Sequence, residues 1–139
     1  MELLGTVNGI EVYDDFAHHP TAIDTTLDGA RKRLGERRLW AIIEPRSNTM
    51  RMGSHKDGLA HSARLADEVI WYQPEGLDWD LQPVIEAASN HAQVSRSLDE
   101  IIERIVNEAG EGDAVVIMSN GGFGGLHQKL MSALKAKAA

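Results

Sequence analysis

The stretch Y-D-D-F-A-H-H-P-T-A-I, residues 13–23, sets two aspartates and two histidines immediately ahead of a proline. Three chemistries are open to it. Imidazole and carboxylate groups suit zinc or manganese. Neighbouring residues entering a helix point in different directions, however, and no H-x-x-x-H pair supports them, so no metal site is expected. Asp15 and His18 could instead cap a helix, satisfying orphan backbone N–H groups. They could also serve a polar substrate, because a strand-end aspartate can hold vicinal hydroxyls and a histidine near a helix start can sit beside phosphate.

Two further stretches carry chemical potential. In E-P-R-S-N-T-M-R, Arg46 and Arg51 flank the hydroxyl and amide groups of Ser47, Asn48 and Thr49. Guanidinium forks grip carboxylates in two-pronged fashion, and a loop can aim them at a ligand; the alternative is a solvated loop whose arginines pair with surface acids. Met50 and Met52 read as packing. In S-N-G-G-F-G-G, starting at Ser119, the glycines would let backbone amides approach an anion. It is not a P-loop, since no G-K-[ST] follows and the spacing misses G-x-G-x-x-G. The plainer reading is a chain reversal with Phe123 covering the core. His61, His91 and His127 have no partners in sequence and read as surface or core histidines.

The elements that must position these residues follow from the apolar spacing. Asn8-Gly9 between short apolar runs predicts a tight hairpin turn. After Pro20, which suits a first helical turn, Ile23, Leu27, Ala30 and Leu34 share one helical face, and Gly35 supplies a stop. L-W-A-I-I (39–43) is a continuous apolar run of the kind expected for a strand covered on both faces, A-V-V-I-M (114–118) reads as the most obviously buried strand, and E-V-I-W-Y (68–72) has strand character, with Trp40 and Trp71 in the core. Between them the pattern predicts a helix over 55–66, a short one over 84–88 and a weak strand at H-A-Q-V. Ser97 and Glu100 form a capping box ahead of Ile101, Ile102, Ile105 and Val106. Leu126, Leu130 and Leu134 mark a last helix, after which the Lys-Ala tail is expected to fray.

Strand and helix thus alternate, which argues for an α/β fold, a Rossmann-like three-layer sandwich whose mostly parallel sheet carries an antiparallel hairpin at one edge. In such folds ligands gather at the carboxyl ends of the strands. The three polar loops leave those ends, so the expectation is one common cleft.

Bulk properties bound the function. The 139 residues, 42% hydrophobic and 25% charged, fit a single domain over 1–139 with a real core. No cysteine is present, which removes thiol chemistry and fits a reducing compartment. With no signal segment and no membrane-length apolar run, a cytoplasmic location is expected. A net charge of −7 disfavours nucleic-acid backbones and anionic membranes as partners.

The motif at 13–23, together with R-R-L-W-A-I-I-E-P-R-S-N-T-M-R-M-G-S-H-K-D, A-D-E-V-I-W-Y-Q-P-E-G-L-D-W and M-S-N-G-G-F-G-G-L-H-Q-K-L, resembles the C-terminal domain of Mur ligases across essentially the whole chain. The resemblance implies the third domain of a three-domain, ATP-dependent ligase. It points to the member that joins the tripeptide L-alanyl-γ-D-glutamyl-meso-diaminopimelate to UDP-N-acetylmuramate in peptidoglycan recycling, through an acyl phosphate. ATP and Mg2+ would be held mainly by N-terminal and central domains, because no G-K-[ST] occurs in this chain; the chain alone is expected to be inactive. By position the resemblance implies that Asp15 contacts the ATP ribose. His18 would approach the γ-phosphate and the incoming amine as the catalytic candidate. His19, Arg46, Ser47, Asn48, Thr49, Arg51, Ser119, Asn120 and Gly121 would bind the peptide.

Two departures stand out: the arginine loop lacks the H-R-Y-T-R of the alanine-adding relative, and Q-P-E-G-L-D-W replaces the Asn-Pro-Arg loop of diaminopimelate-adding relatives. The alternatives are an L-alanine-adding Mur ligase domain and a stand-alone nucleotide-binding or interaction module.

Overall fold

The computed structural model describes residues 1–16, 20–44, 56–73, 81–88, 90–119 and 123–138. Two strands, β1 (Glu2–Val7) and β2 (Ile10–Asp15), form the expected hairpin. Asn8 and Gly9 turn it with φ of 56° and 78°, the left-handed pair that a two-residue turn between twisted strands requires. Then follow α1 (Pro20–Leu34), β3 (Leu39–Ile43), α2 (Lys56–Ser62), β4 (Glu68–Tyr72), α3 (Gln82–Ala87), β5 (His91–Ser95), α4 (Leu98–Glu108), β6 (Ala114–Met118), a 3-10 turn at Phe123–Gly125 and α5 (Leu126–Ala138).

The six strands form one sheet in the order β1-β2-β6-β3-β4-β5. Only the β1–β2 pair is antiparallel; the others run parallel. Side chains of alternate strand residues go to opposite faces, and two cores result. Tyr13, Ala41, Ile43, Val69, Trp71, Val116 and Met118 pack under α1, α2 and α3. Val12, Trp40, Ile42, Ile70, Val115 and Ile117 pack under α4 and α5. The helix-covered parallel strands β3 and β6 are buried at every position, which is why they read as unbroken apolar runs.

Local chemistry adjusts several boundaries. Helix α2 ends at Ser62 rather than running to residue 66; residues 63–65 form a turn, closed by Asn90 Nδ2 donating to the Ala63 and Ala66 carbonyls at 2.8 Å each. The short third helix begins at Gln82, with Pro83 in its first turn. Ser97 caps α4 by accepting from the Glu100 N–H at 3.5 Å, but Glu100 accepts from Ser95 Oγ at 3.1 Å. The Lys-Ala tail does not fray before Ala138: alanine and lysine are strong helix formers, and Lys137 Nζ donates to the Val106 carbonyl. Among the described residues no helix is long and apolar enough to cross a membrane.

Candidate functional site at the carboxyl rim of the sheet

The chain visits β2, β3, β4 and β5 with helices on one face, then returns through α4 on the other to insert β6 between β2 and β3. The helices that follow β2 and β3 therefore lie on the opposite face from the helix that follows β6. Such a reversal opens a crevice outside the carboxyl ends of the strands. Register fixes what borders it: Met118 is opposite both Asp15 and Ile43. The ladder continues past the strand ends, with the Ser119 N–H donating to the Asp15 carbonyl at 3.1 Å and the Glu44 N–H to the Met118 carbonyl at 2.9 Å. The segments entering residues 17–19, 45–55 and 120–122 thus leave three adjacent strands on one rim.

Two of the expected site residues can be placed there. Asp15 ends β2, and its carboxylate accepts from Thr26 Oγ1 of α1 at 2.9 Å and lies 2.9 Å from the Met1 amine. Ser119 follows β6 and is 1% exposed. His18, His19, Arg46, Ser47, Asn48, Thr49, Arg51, Asn120 and Gly121 lie outside the described residues. Among the described residues no group of three or more His, Asp or Glu side chains could hold a metal ion.

The rim also holds residues that sequence reasoning missed. His127, in the first turn of α5, donates from Nε2 to Asp14 Oδ1 at 2.8 Å. Asp14 alternates to the α5 face while Asp15 serves α1, so the adjacent pair of aspartates clamps one helix on each side of the sheet. The separation of 113 residues between Asp14 and His127 hid the contact from any local pattern. Replacing His127 with alanine is expected to lower stability by about 1–2 kcal/mol, since it removes a partly buried hydrogen bond to a carboxylate. A urea-melt difference below about 0.5 kcal/mol would show that the pair does not anchor α5. Glu44, the residue that ends the apolar run of β3, was likewise read only as the start of a loop.

At the opposite, amino rim the charges serve the fold. Glu68 begins β4 and accepts from Arg38 and Arg104 at 3.0 Å each, with His91 Nδ1 at 3.3 Å. Burial pushes its carboxyl up, but the hydrogen bonds from Arg38 and His91 and the charges of Arg104 and Arg38 outweigh it and hold the group below the usual glutamate range. An open cleft of about 550 Å3 lies here between Arg38, Arg64, Asn90 and His91. Its arginines already pair with Glu68 and Asp24, and it is on the wrong rim for the crevice.

The doubly covered, mostly parallel sheet with its reversal point defines a doubly wound α/β domain. Residues 1–121 match the family described as Mur ligase, glutamate ligase domain, and the chain belongs to that family. It is 50% identical over 139 residues to the UDP-N-acetylmuramate--L-alanyl-gamma-D-glutamyl-meso-2,6-diaminoheptandioate ligase of Escherichia coli K12, covering 99% of this chain and 30% of the relative. The ligase of the same name from Haemophilus influenzae is 46% identical over 138 residues, with the same shares covered. Among solved structures, the murein peptide ligase of Psychrobacter arcticus aligns with a TM-score of 0.91 at 61% identity over 97% of this chain and 29% of that one. A domain attributed to a UDP-N-acetylmuramate:L-alanyl-gamma-D-glutamyl-diaminopimelate ligase from Haemophilus ducreyi gives 0.83 at 44% identity, covering 96% of this chain and 98% of that one. The chain spans about 30% of the length of the full-length relatives it matches.

Proposed function

We propose that this chain is the C-terminal, peptide-positioning domain of an ATP-dependent, three-domain ligase. That enzyme joins L-alanyl-γ-D-glutamyl-meso-diaminopimelate to UDP-N-acetylmuramate in cytoplasmic recycling of peptidoglycan. The observation that carries the reading is the 50% identity over 139 aligned residues, 99% of this chain, to a relative named for those substrates. Relatives named as UDP-N-acetylmuramate--L-alanine ligases are 31% identical over 130 residues in one case and 41% over only 70 in another, and this chain lacks the H-R-Y-T-R segment that the resemblance implies for an alanine-adding member, which leaves the alanine-adding reading second.

In this proposal ATP, with Mg2+, phosphorylates the muramyl carboxylate on the other domains, releasing ADP. The peptide amine attacks the acyl carbonyl, phosphate leaves, and the surplus amine proton passes to a base, for which His18 is the candidate. The task of this domain is geometric. It holds the amine at the carbonyl and closes over ATP so that water does not hydrolyse the activated intermediate. Asp15 is assigned to the ATP ribose. His19, the segment Arg46, Ser47, Asn48, Thr49 and Arg51, and the turn Ser119, Asn120 and Gly121 are assigned to the peptide. The convergence of the three chain departures on one rim supports that assignment.

The test uses the full-length enzyme and follows phosphate release with UDP-N-acetylmuramate, ATP and tripeptide. Arg46→Ala is expected to lower kcat/KM for the tripeptide by about 10- to 100-fold, the loss of one charge-assisted contact, while the KM for the UDP-sugar stays within twofold. Unchanged tripeptide kinetics would remove Arg46 from the site, and no tripeptide-dependent phosphate release by the unaltered enzyme would refute the function.

A further inference from the structure

At the carboxyl rim one carboxylate stands apart. Asp14 and Asp15 are engaged by His127 and Thr26, whereas among the described residues no hydrogen bond or ion pair reaches the carboxylate of Glu44. Burial pushes its carboxyl up from the ordinary glutamate value, with no cation or donor opposing it.

Alternation settles which face Glu44 takes. Leu39, Ala41 and Ile43 pack into the core under α1, and Trp40 and Ile42 into the core under α4 and α5. Glu44 continues the ladder, so it falls on the face of Trp40 and Ile42. On the neighbouring strand Trp71 is opposite Ile43. That sets Tyr72 beside Glu44, and Tyr72 packs against the same core.

The ring of Phe123 lies 5.2 Å from that of Tyr72, centroid to centroid. Phe123 follows β6 and Tyr72 ends β4, with β3 between them. The two rings therefore meet across the end of β3, where Glu44 sits. Phe123 keeps this place at φ +50°, a left-handed backbone that is strained for a bulky residue and persists only where the surroundings impose it. Behind it Gly124 is pressed so close to α4 that an added Cβ would stand 2.6 Å from Leu98 Cδ1.

We propose that Glu44, Tyr72 and Phe123 form a specificity site for a primary alkylammonium group of the incoming peptide, the free amine of its diaminopimelate residue. The inference rests on the ligase reading above. A partly buried carboxylate beside two aromatic rings suits an ammonium on an alkyl stem, since the acid answers the charge and ring faces attract cations. Such a site keeps the amine protonated and so without its nucleophilic lone pair. That suits the amine that stays free, and not the alanyl amine that forms the bond.

The experiment compares two peptides with the full-length enzyme: the tripeptide, and the same peptide with 2-aminopimelate in place of diaminopimelate, which lacks only the free amine. The unaltered enzyme is expected to prefer the first by about 10- to 100-fold in kcat/KM, and Glu44→Gln to collapse that ratio towards one. A ratio near one in the unaltered enzyme overturns the proposal without need of any variant, and so does a ratio that survives in a folded Glu44→Gln enzyme. If the unaltered enzyme ligates neither peptide, the ligase reading itself fails and the ammonium site falls with it.

Discussion

Replacing Trp40 with alanine is expected to cost about 5 kcal/mol, the largest loss from any single side chain described here. The indole is fully buried in the core under α4 and α5, and its removal leaves a cavity that parallel strands on both sides cannot close. It also leaves polar groups stranded. Trp40 Nε1 donates to Asp113 Oδ2 at 3.0 Å, the carboxylate of a side chain 11% exposed that also accepts from the Gly110 N–H at 3.1 Å. The guanidinium groups of Arg38 and Arg104 stand 4.7 and 5.5 Å from the ring. Trp40→Phe separates these contributions: it keeps most of the apolar bulk and loses the donor, for an expected cost of about 1–2 kcal/mol. Urea melts of the two variants check both values. A Trp40→Ala protein within about 1 kcal/mol of the parent would mean that the core on this face tolerates a void.

Glu68→Ala is expected to lower the midpoint of thermal unfolding by about 10 °C, corresponding to about 3 kcal/mol. The side chain of Glu68 is 9% exposed and that of Arg104 19%, so removing the acid strands a guanidinium that water reaches poorly. Arg38 is 38% exposed and recovers part of its solvation, which keeps the figure at the low end for a broken buried pair. The same contacts set a pH dependence. The folded carboxyl titrates below its ordinary range, so the folded state binds fewer protons there than the unfolded chain. The contribution is complete above that ordinary range and disappears as pH falls from about 4.5 through the lower folded value. The parent should therefore lose stability more steeply than Glu68→Ala on acidification below that point. Parallel acid melts of the two proteins would reject Glu68 as the source.

The sheet was legible in the sequence because its strands are covered on both sides: L-W-A-I-I and A-V-V-I-M had to be continuous apolar runs, and Asn8-Gly9 had to turn. The order of the strands placed Asp15 and Ser119 on one rim as the α/β pattern anticipated. Charged residues were legible only where their partners are close in the chain. Glu68 reaches partners 30, 36 and 23 residues away, and no local spacing encodes that hub. Glu44 was hidden for a different reason: a single acid after five apolar residues marks a strand end whether or not it has a ligand. Phe123 read as a cover for the core and Tyr72 only as the end of a strand, and their meeting across β3 depends on a strand inserted out of chain order.

The hairpin, the Glu68 hub and the Asp113–Trp40 contact all brace the sheet away from the crevice, while the segments after β2, β3 and β6 depart from a rim whose own backbone hydrogen bonds continue beyond the last strand residues. The larger stabilising contacts thus lie at the end of the sheet opposite the rim to which the proposed function assigns the peptide. On the proposed reading, exchanging residues 45–55 for the matching stretch of a cousin with another amino-acid preference is expected to change the acceptor preference of the full-length enzyme while the melting behaviour of the domain stays that of the parent.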